Sequence, residues 1–407
     1  MRGKGLILLT GIMMATVSCG LEQIGIDGSG DDIWVRPGLF PVPGHGDGPE
    51  TAQKTWYAVG VDYPDGYDWN SDVEVGNVRC SLVVFANGIP VMKVPVGDEY
   101  EVSADPDMYR MIGSSLYTDY STGEETVIKR NGEQLFRYPG REMILDMVVK
   151  DDDVYTLGQD RGGNGFTYRK NGEILLSRES GHLFSGLQQC GEDFAFTFSE
   201  QFGADNASVE RYYCYCAGNV SQIAVREDVR KVWDARMYND RVCYIASLTG
   251  VSAPVLVEGP VMNVIDVPDA YRMISCRFAG GQTTRPGVEL ILIKKGRLLY
   301  STLWRSSDEK ETFPEGYTIA SICTGGDDFC CVLNPPESSG KGIIYRFGEK
   351  LEMPDGYVSM GGKSMAVMDG ILYVGLTSKD GADAAVWVDG EIEPLRLSGF
   401  ISHIYVN

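Results

Sequence analysis

The chain has 407 residues, 43 % of them hydrophobic, with 50 glycines and a formal net charge of −21 at neutral pH. That apolar content suffices for a large core, while 57 acidic against 36 basic residues repel phosphate backbones and argue against a nucleic-acid partner. Three histidines, His45, His182 and His403, are too few for a multi-histidine metal centre, and a histidine-based triad would have to use His182 or His403, both read as structural.

At the N-terminus, Arg2 and Lys4 precede an apolar run from Gly5 to Val17, shorter than the roughly 20 residues a bilayer-spanning helix needs. Thr16-Val17-Ser18-Cys19 closes the run and resembles the lipobox of bacterial lipoproteins. The resemblance implies a signal peptide over 1–18 and a lipidated Cys19, whose acyl chains hold a protein on a membrane at ~0.8 kcal/mol per buried CH₂. Residues 19–53 then read as lipidated Cys19 and a flexible acidic tether, with GIDGSGDD from Gly25 and RPGLFPVPGHGDGPE from Arg36 offering little to pack. Glu22, Asp27, Asp31 and Asp32 resemble the surface-export region of Bacteroidota lipoproteins.

From residue 54 to 407 the sequence repeats. A two-residue turn ending in glycine recurs as Asn87-Gly88, Asn131-Gly132, Asn171-Gly172, Ala217-Gly218, Glu258-Gly259, Lys295-Gly296, Phe347-Gly348 and Asp389-Gly390, with successive glycines 37 to 52 residues apart. A type I′ hairpin needs φ > 0 at both central residues, which Asn, Asp and Gly tolerate best. Around Asp151 the text DDDVYTLGQDRGGNGFTYRKNGEILLS reads as strand, strand, turn, strand, after an earlier strand over 144–149. With strands A to D in chain order, a second landmark in strand B keeps phase with the turn: Tyr57, Tyr117, Tyr155, Phe196, Tyr244, Phe278, Cys330 and Tyr373.

Four-stranded units at this period predict an all-β chain: a β-propeller of eight four-stranded blades, with seven as the alternative because the unit before Gly296 is short. The repeat opens at Trp56 with a strand B and finishes over 401–406 with an unpartnered strand A. The C-terminal strand is therefore expected to join blade 1, beside residues 56–60, removing a free edge.

Long insertions are expected in the B-to-C connections at 61–79 and 199–209 and in the D-to-A connections at 97–107 and 304–316, with A-to-B turns tight. The first insertion carries Tyr63, Asp65, Tyr67, Asp68, Trp69 and Asp72, and its neighbour adds Asp98, Glu99 and Tyr100. Rings beside carboxylates can stack on sugars and accept from hydroxyl groups, so these residues are the ligand-binding candidates. Asp68, Asn70 and Asp72 begin like a calcium loop, but Val73 and Arg79 stand where Gly and Glu are required, and no EF-hand or other metal site is assigned. Arg110, Arg236 and Arg272, each followed by Met in a predicted strand A, are candidates for an anion site in an axial channel, or for pairing with local carboxylates. Nine cysteines beyond Cys19 show no disulfide framework and read as small core residues.

The lipobox, the acidic tether and the DxVYxxG and KNGE repeats together resemble β-propeller lipoproteins of Bacteroidota. The resemblance implies fold and an outer-membrane, lipid-anchored location on the periplasmic or cell-surface face, and carries no activity. The expectation is a monomeric, non-catalytic binding or assembly module without a cofactor, recognising a glycan or another envelope protein. A polysaccharide hydrolase or lyase on the same scaffold is the alternative, which a pair of carboxylates at catalytic separation would favour.

Overall fold

The protein is described by a computed structural model over residues 34–35, 55–63, 80–95, 109–121, 124–161, 165–202, 209–238, 241–267, 271–279, 286–294, 298–305, 310–325, 328–336, 340–346, 348–360, 363–381 and 383–406. All pairings between the named strands are antiparallel, and the strands form eight separate sheets, so the fold is an eight-bladed β-propeller. Two units divide the chain, residues 353–407 with 1–141, and residues 142–352. The first unit holds blades 8, 1 and 2, and the second holds blades 3 to 7.

Blade 2 shows the plan: strands A to D are Tyr109–Ile112, Ser115–Ser121, Glu125–Arg130 and Glu133–Pro139, hydrogen-bonded in that order. Blade 3 repeats it with Glu142–Lys150, Asp153–Asp160, Phe166–Lys170 and Glu173–Arg178. Blade 5 does so with Val229–Tyr238, Arg241–Leu248, Val255–Glu258 and Val261–Val264, and blade 7 with Thr318–Gly325, Asp328–Asn334, Ile343–Arg346 and Glu349–Glu352. In blades 4 and 8 strand A is broken: His182–Leu183 and Gln188–Cys190 both pair with Asp193–Phe202, and Tyr357–Val358 and Met365–Met368 both pair with Ile371–Ser378.

The hairpin residues explain the repeat. Asn87, Asn131, Asn171, Ala217 and Asp389 all have positive φ and precede glycines with positive φ, the type I′ geometry. Each asparagine does more than turn the chain. Asn131 donates its N–H to the carbonyl of Leu116 at 2.7 Å and accepts from the Leu116 N–H through Oδ1 at 2.8 Å. Asn171 clamps Val154 and Asn87 clamps Trp56 in the same way. Strand C runs antiparallel to strand B, so the C-to-D turn lies beside the start of B, and the clamp ties turn and landmark into one phase.

Blade 1 is completed from both ends of the chain. Gly399–Val406 lies beside Trp56–Asp62, in register from Trp56 opposite Val406 to Asp62 opposite Gly399, as the sequence led us to expect. Ser81–Ala86 and Ile89–Pro95 follow, and Trp34–Val35 adds a fifth strand on Ile89–Pro95, so two residues of the tether segment pair with the sheet.

The core lies between neighbouring sheets. In the first unit, Tyr57, Val59 and Val84 pack with Tyr109, Met111 and Leu116, and Trp56, Phe85 and Ile401 pack with Tyr373 and Val386. In the second, Phe166 and Tyr168 meet Phe196, Phe198 and Tyr215, with Tyr168 edge-on to Tyr215 at 5.2 Å. Side chains also staple adjacent strands A: Asp146 Oδ2 accepts the Leu187 N–H at 2.7 Å, and Gln188 both donates to and accepts from the Met237 backbone.

Blade 6 departs from expectation. Phe278 ends strand A, Tyr271–Phe278, rather than marking strand B, which is Val288–Lys294. Strands C and D are Leu298–Trp304 and Lys310–Thr312, so the segment 304–316 contains a strand instead of being one long connection. Lys295-Gly296 falls between strands B and C, and the connection from A to B spans 279–287 and is not a tight turn. A disulfide, Cys190 to Cys216, also corrects the reading of the cysteines as core residues only. It joins strand A of blade 4 to the end of strand C, Val209–Cys216, closing a loop of 26 residues, worth about 3.5 kcal/mol in the chain-entropy account.

Candidate functional site

Strand ends fix the base of the first long loop. Asp62 at the end of strand B accepts from the Ser398 N–H at 3.3 Å and pairs with Lys93 at 3.5 Å, and the Tyr63 N–H donates to the Ser398 carbonyl at 2.7 Å. The chain re-enters at Cys80, whose thiol burial pushes up to about 12, with Asp62 adding to the shift. Tyr63 itself is buried, its ring 6.3 Å from Phe400, so it anchors the loop from within the core and presents no ring to a ligand. Asp65, Tyr67, Asp68, Trp69, Asp72, Asp98, Glu99, Tyr100 and Cys19 lie outside the described residues.

The three arginines do sit in strands A, but their surroundings differ. Arg110 is buried and pairs with Asp119 at 3.1 Å. Arg236 is 3.7 Å from Asp234 and lies over the Phe278 ring at 5.8 Å. Arg272 is exposed. Arg236 and Arg272, which share a unit, are therefore not equivalent positions, and for Arg110 and Arg236 pairing with a local carboxylate is what the side chain does.

That pairing is general. Four carboxylates are buried among the described residues, and each faces an arginine: Asp119 with Arg110, Glu142 with Arg169 at 2.7 Å, Asp234 with Arg236, and Glu289 with Arg277 at 2.8 Å. Burying a carboxylate without a partner costs far more than burying a pair, so such charges survive in a core only when matched. No group of three or more His, Cys, Asp or Glu side chains suited to a metal ion occurs among the described residues. A cleft of about 340 Å³ opens between blades 4 and 5, lined by Cys214, Ile223, Arg226, Val242 and Tyr244 among others. Its guanidinium is already held by Asp228 at 2.9 Å, and the Cys214 thiol is pushed up to about 11 by burial, which leaves it protonated.

His403 was read from sequence only as a structural histidine in the closing strand, and the structure gives it a defined state. It is fully buried, stacked on Tyr405 and edge-on to Tyr109 at 5.4 Å. Ser402 Oγ donates to the Val59 carbonyl at 3.0 Å, so at 3.2 Å it can only accept from His403 Nδ1–H. The ring is thus the neutral Nδ1–H tautomer, and Nε2 has no hydrogen-bond partner. Burial first, then Lys363 and Arg110, hold its pKa well below the usual value.

Asp234 is the opposite case. Its Oδ2 accepts from the Phe278 N–H at 2.8 Å, and burial raises the carboxyl to about 6 against the pull of Arg236. The two groups give opposite pH slopes. The unfolded chain protonates His403 below about pH 6.5 while the folded chain does not, so stability is lost as pH falls below that value, at about 1.4 kcal/mol per unit. The folded chain keeps the Asp234 proton between about pH 4 and 6 while the unfolded chain has lost it, so stability is lost as pH rises through that window, by about 3 kcal/mol in all. Relative to the wild type, His403→Phe is expected to gain stability on going from pH 7 to 5, and Asp234→Asn to lose it. Urea midpoints across that range decide: parallel curves for all three proteins would mean that neither group is perturbed.

No protein-family model matches the chain, and no curated protein does. Among solved structures the chain is similar to AztD from Citrobacter koseri, with a TM-score of 0.47 and 9 % identity over 87 % of this chain and 98 % of that one. It is also similar to the β-propeller domain of the Trilobed protease from Pyrococcus furiosus, at 0.44 and 9 % over 74 % and 92 %. A third is the acylaminoacyl peptidase of Pyrococcus horikoshii, at 0.42 and 10 % over 77 % and 53 %. Likeness at this level brings no ligand or activity to this chain.

Proposed function

We propose that the protein is a lipid-anchored envelope module, attached through Cys19, that binds a glycan or another envelope protein through the loops at 61–79 and 97–107. One observation carries the reading: the carboxylates buried in the described strands are each committed to an arginine, which leaves the loops as the place where polar chemistry is on offer. The first loop springs from a base that is hydrogen-bonded and buried, and binding loops work from rigid scaffolds of this kind. The Cys190–Cys216 disulfide suits an oxidising compartment beyond the cytoplasm.

One experiment tests both halves. Cells making the whole chain or its Cys19→Ser variant are fractionated, and the detergent-solubilised products are passed over host and microbial polysaccharides with release of new sugar ends monitored. The whole chain is expected in the membrane fraction and Cys19→Ser in the soluble one; both are expected to be retained on one polysaccharide, and Trp69→Ala is not. A membrane-bound Cys19→Ser would sink the anchor, and retention unaffected by Trp69→Ala would sink the site. Release of sugar ends would replace the binder with the hydrolase or lyase.

A further inference from the structure

Blade 7 places two thiols that are not in a disulfide face to face. Its first two strands, Thr318–Gly325 and Asp328–Asn334, are joined by a two-residue connection, and Cys323 is the direct register partner of Cys330. Direct partners of an antiparallel pair stand about 4.5 to 5.5 Å apart at Cα. A disulfide spans about 4.4 to 6.8 Å, so no backbone movement is needed to close one here. Direct partners also project to the same side of the sheet. Cys331, the next residue, is the partner of Ile322 and projects to the other side, among Phe313, Phe329 and Leu333, where it is fully buried.

The two thiols already interact. The Cys323 thiol is pushed far above its ordinary range, first by its hydrogen bond to Cys330 and then by burial. Of the pair, Cys330 is fully buried and Cys323 is partly exposed, so an incoming reagent meets Cys323 first. Blade 4 shows that this chain accepts a disulfide between strands of a single blade.

We propose that Cys323 and Cys330 form a second, cross-strand disulfide by exchange with a donor disulfide, Cys323 entering first and Cys330 resolving. The Cys323 thiolate attacks one sulfur of the donor, forming a mixed disulfide and expelling one donor thiolate. The Cys330 thiolate then attacks the Cys323 sulfur, closing the protein disulfide and expelling the second donor thiolate. The two protons lost from the cysteines end on the two donor thiols, and the donor is reduced by the two electrons that the cysteines give up. Because the Cys323 thiol is protonated at neutral pH, the reaction is slow and quickens as pH rises. The closed loop is shorter than that of Cys190–Cys216, so the stability gained is smaller, and the chemistry itself is the readout.

The proposal rests on the register of blade 7 and not on the membrane anchor, so it is tested on the purified whole chain. The protein is incubated with oxidised glutathione at mildly alkaline pH, quenched, unfolded, alkylated and mapped by mass spectrometry. The fragment holding Cys323, Cys330 and Cys331 is expected to lose two hydrogens and to carry one alkyl group, on Cys331. The Cys331→Ser variant is expected to lose the same two hydrogens and carry none. With Cys330→Ser, Cys323 is expected to stop at the glutathione adduct. A wild-type chain that stops at that adduct, stays fully alkylated, or joins Cys331 to either partner overturns the pairing.

Discussion

A chain ending at Leu397 is expected to lose cooperative unfolding altogether, and a peptide of residues 398–407 added in trans is expected to restore it. The segment removed contains Gly399–Val406, which pairs along the whole of Trp56–Asp62. It buries Phe400, Ile401 and Ile404 between blades 8 and 1 and against blade 2. Each of those side chains stabilises by about 1.5 to 3 kcal/mol when fully buried. Together they approach the whole net stability of a typical domain, about 5 to 15 kcal/mol. Further losses come from the Ser402 hydroxyl bond to Val59, the Ser398 backbone pairs with Asp62 and Tyr63, and the ladder edge left exposed on Trp56–Asp62. Far-UV circular dichroism with a urea titration reads the outcome. If the truncated chain keeps its midpoint, the strand is an appendage and not the closure of blade 1.

What could be read in the sequence was what the backbone imposes locally. Asn87, Asn131 and Asn171 were legible because a type I′ turn narrows the choice of residue, and their clamps on Trp56, Leu116 and Val154 fixed the phase of strand B. Blade 6 defeated the same logic: Lys295-Gly296 has the turn's composition but joins strands B and C, and Phe278 carries an aromatic at the end of strand A, so both markers were one strand out of place. Pairing across a blade left no mark at all. Cys190 and Cys216 flank the same strand, Asp193–Phe202, which their separation of 26 residues does not disclose. Arg110 stood out in a strand A, but its partner Asp119 is set by register. Of the candidate ligand residues, Tyr63 is the one among the described residues, and its ring turns inward against Phe400 because it directly follows the repeat's strand B.

The buried pair in blade 3 allows the sharpest test of how these charges act. Arg169 in strand C reaches Glu142 at the head of strand A, with Nη2 to Oε1 at 2.7 Å and Nε to both oxygens at 3.3 and 3.4 Å, while Nη1 donates to the Gly172 carbonyl at 3.1 Å. The contact crosses over strand B, and it can do so because Gly158 stands between them: a β-carbon there would lie 2.7 Å from Glu142 Oε2. Arg169→Met alone leaves Glu142 buried without its guanidinium, and is expected to cost about 3 to 5 kcal/mol; Glu142→Leu alone strands the guanidinium and is expected to cost a similar amount. The double variant removes both desolvation costs and is expected to recover most of the loss, since a packed apolar pair of similar volume replaces an ion pair at little or no net cost. Gly158→Ala, which leaves both charges in place but presses on the bridge, is expected to fall between the double and single variants. Urea midpoints of the wild type, the two single variants and the double variant give the coupling directly. Single variants that each cost under about 1 kcal/mol, the range of exposed pairs, would mean that water reaches the bridge and that it is not a structural element of the blade.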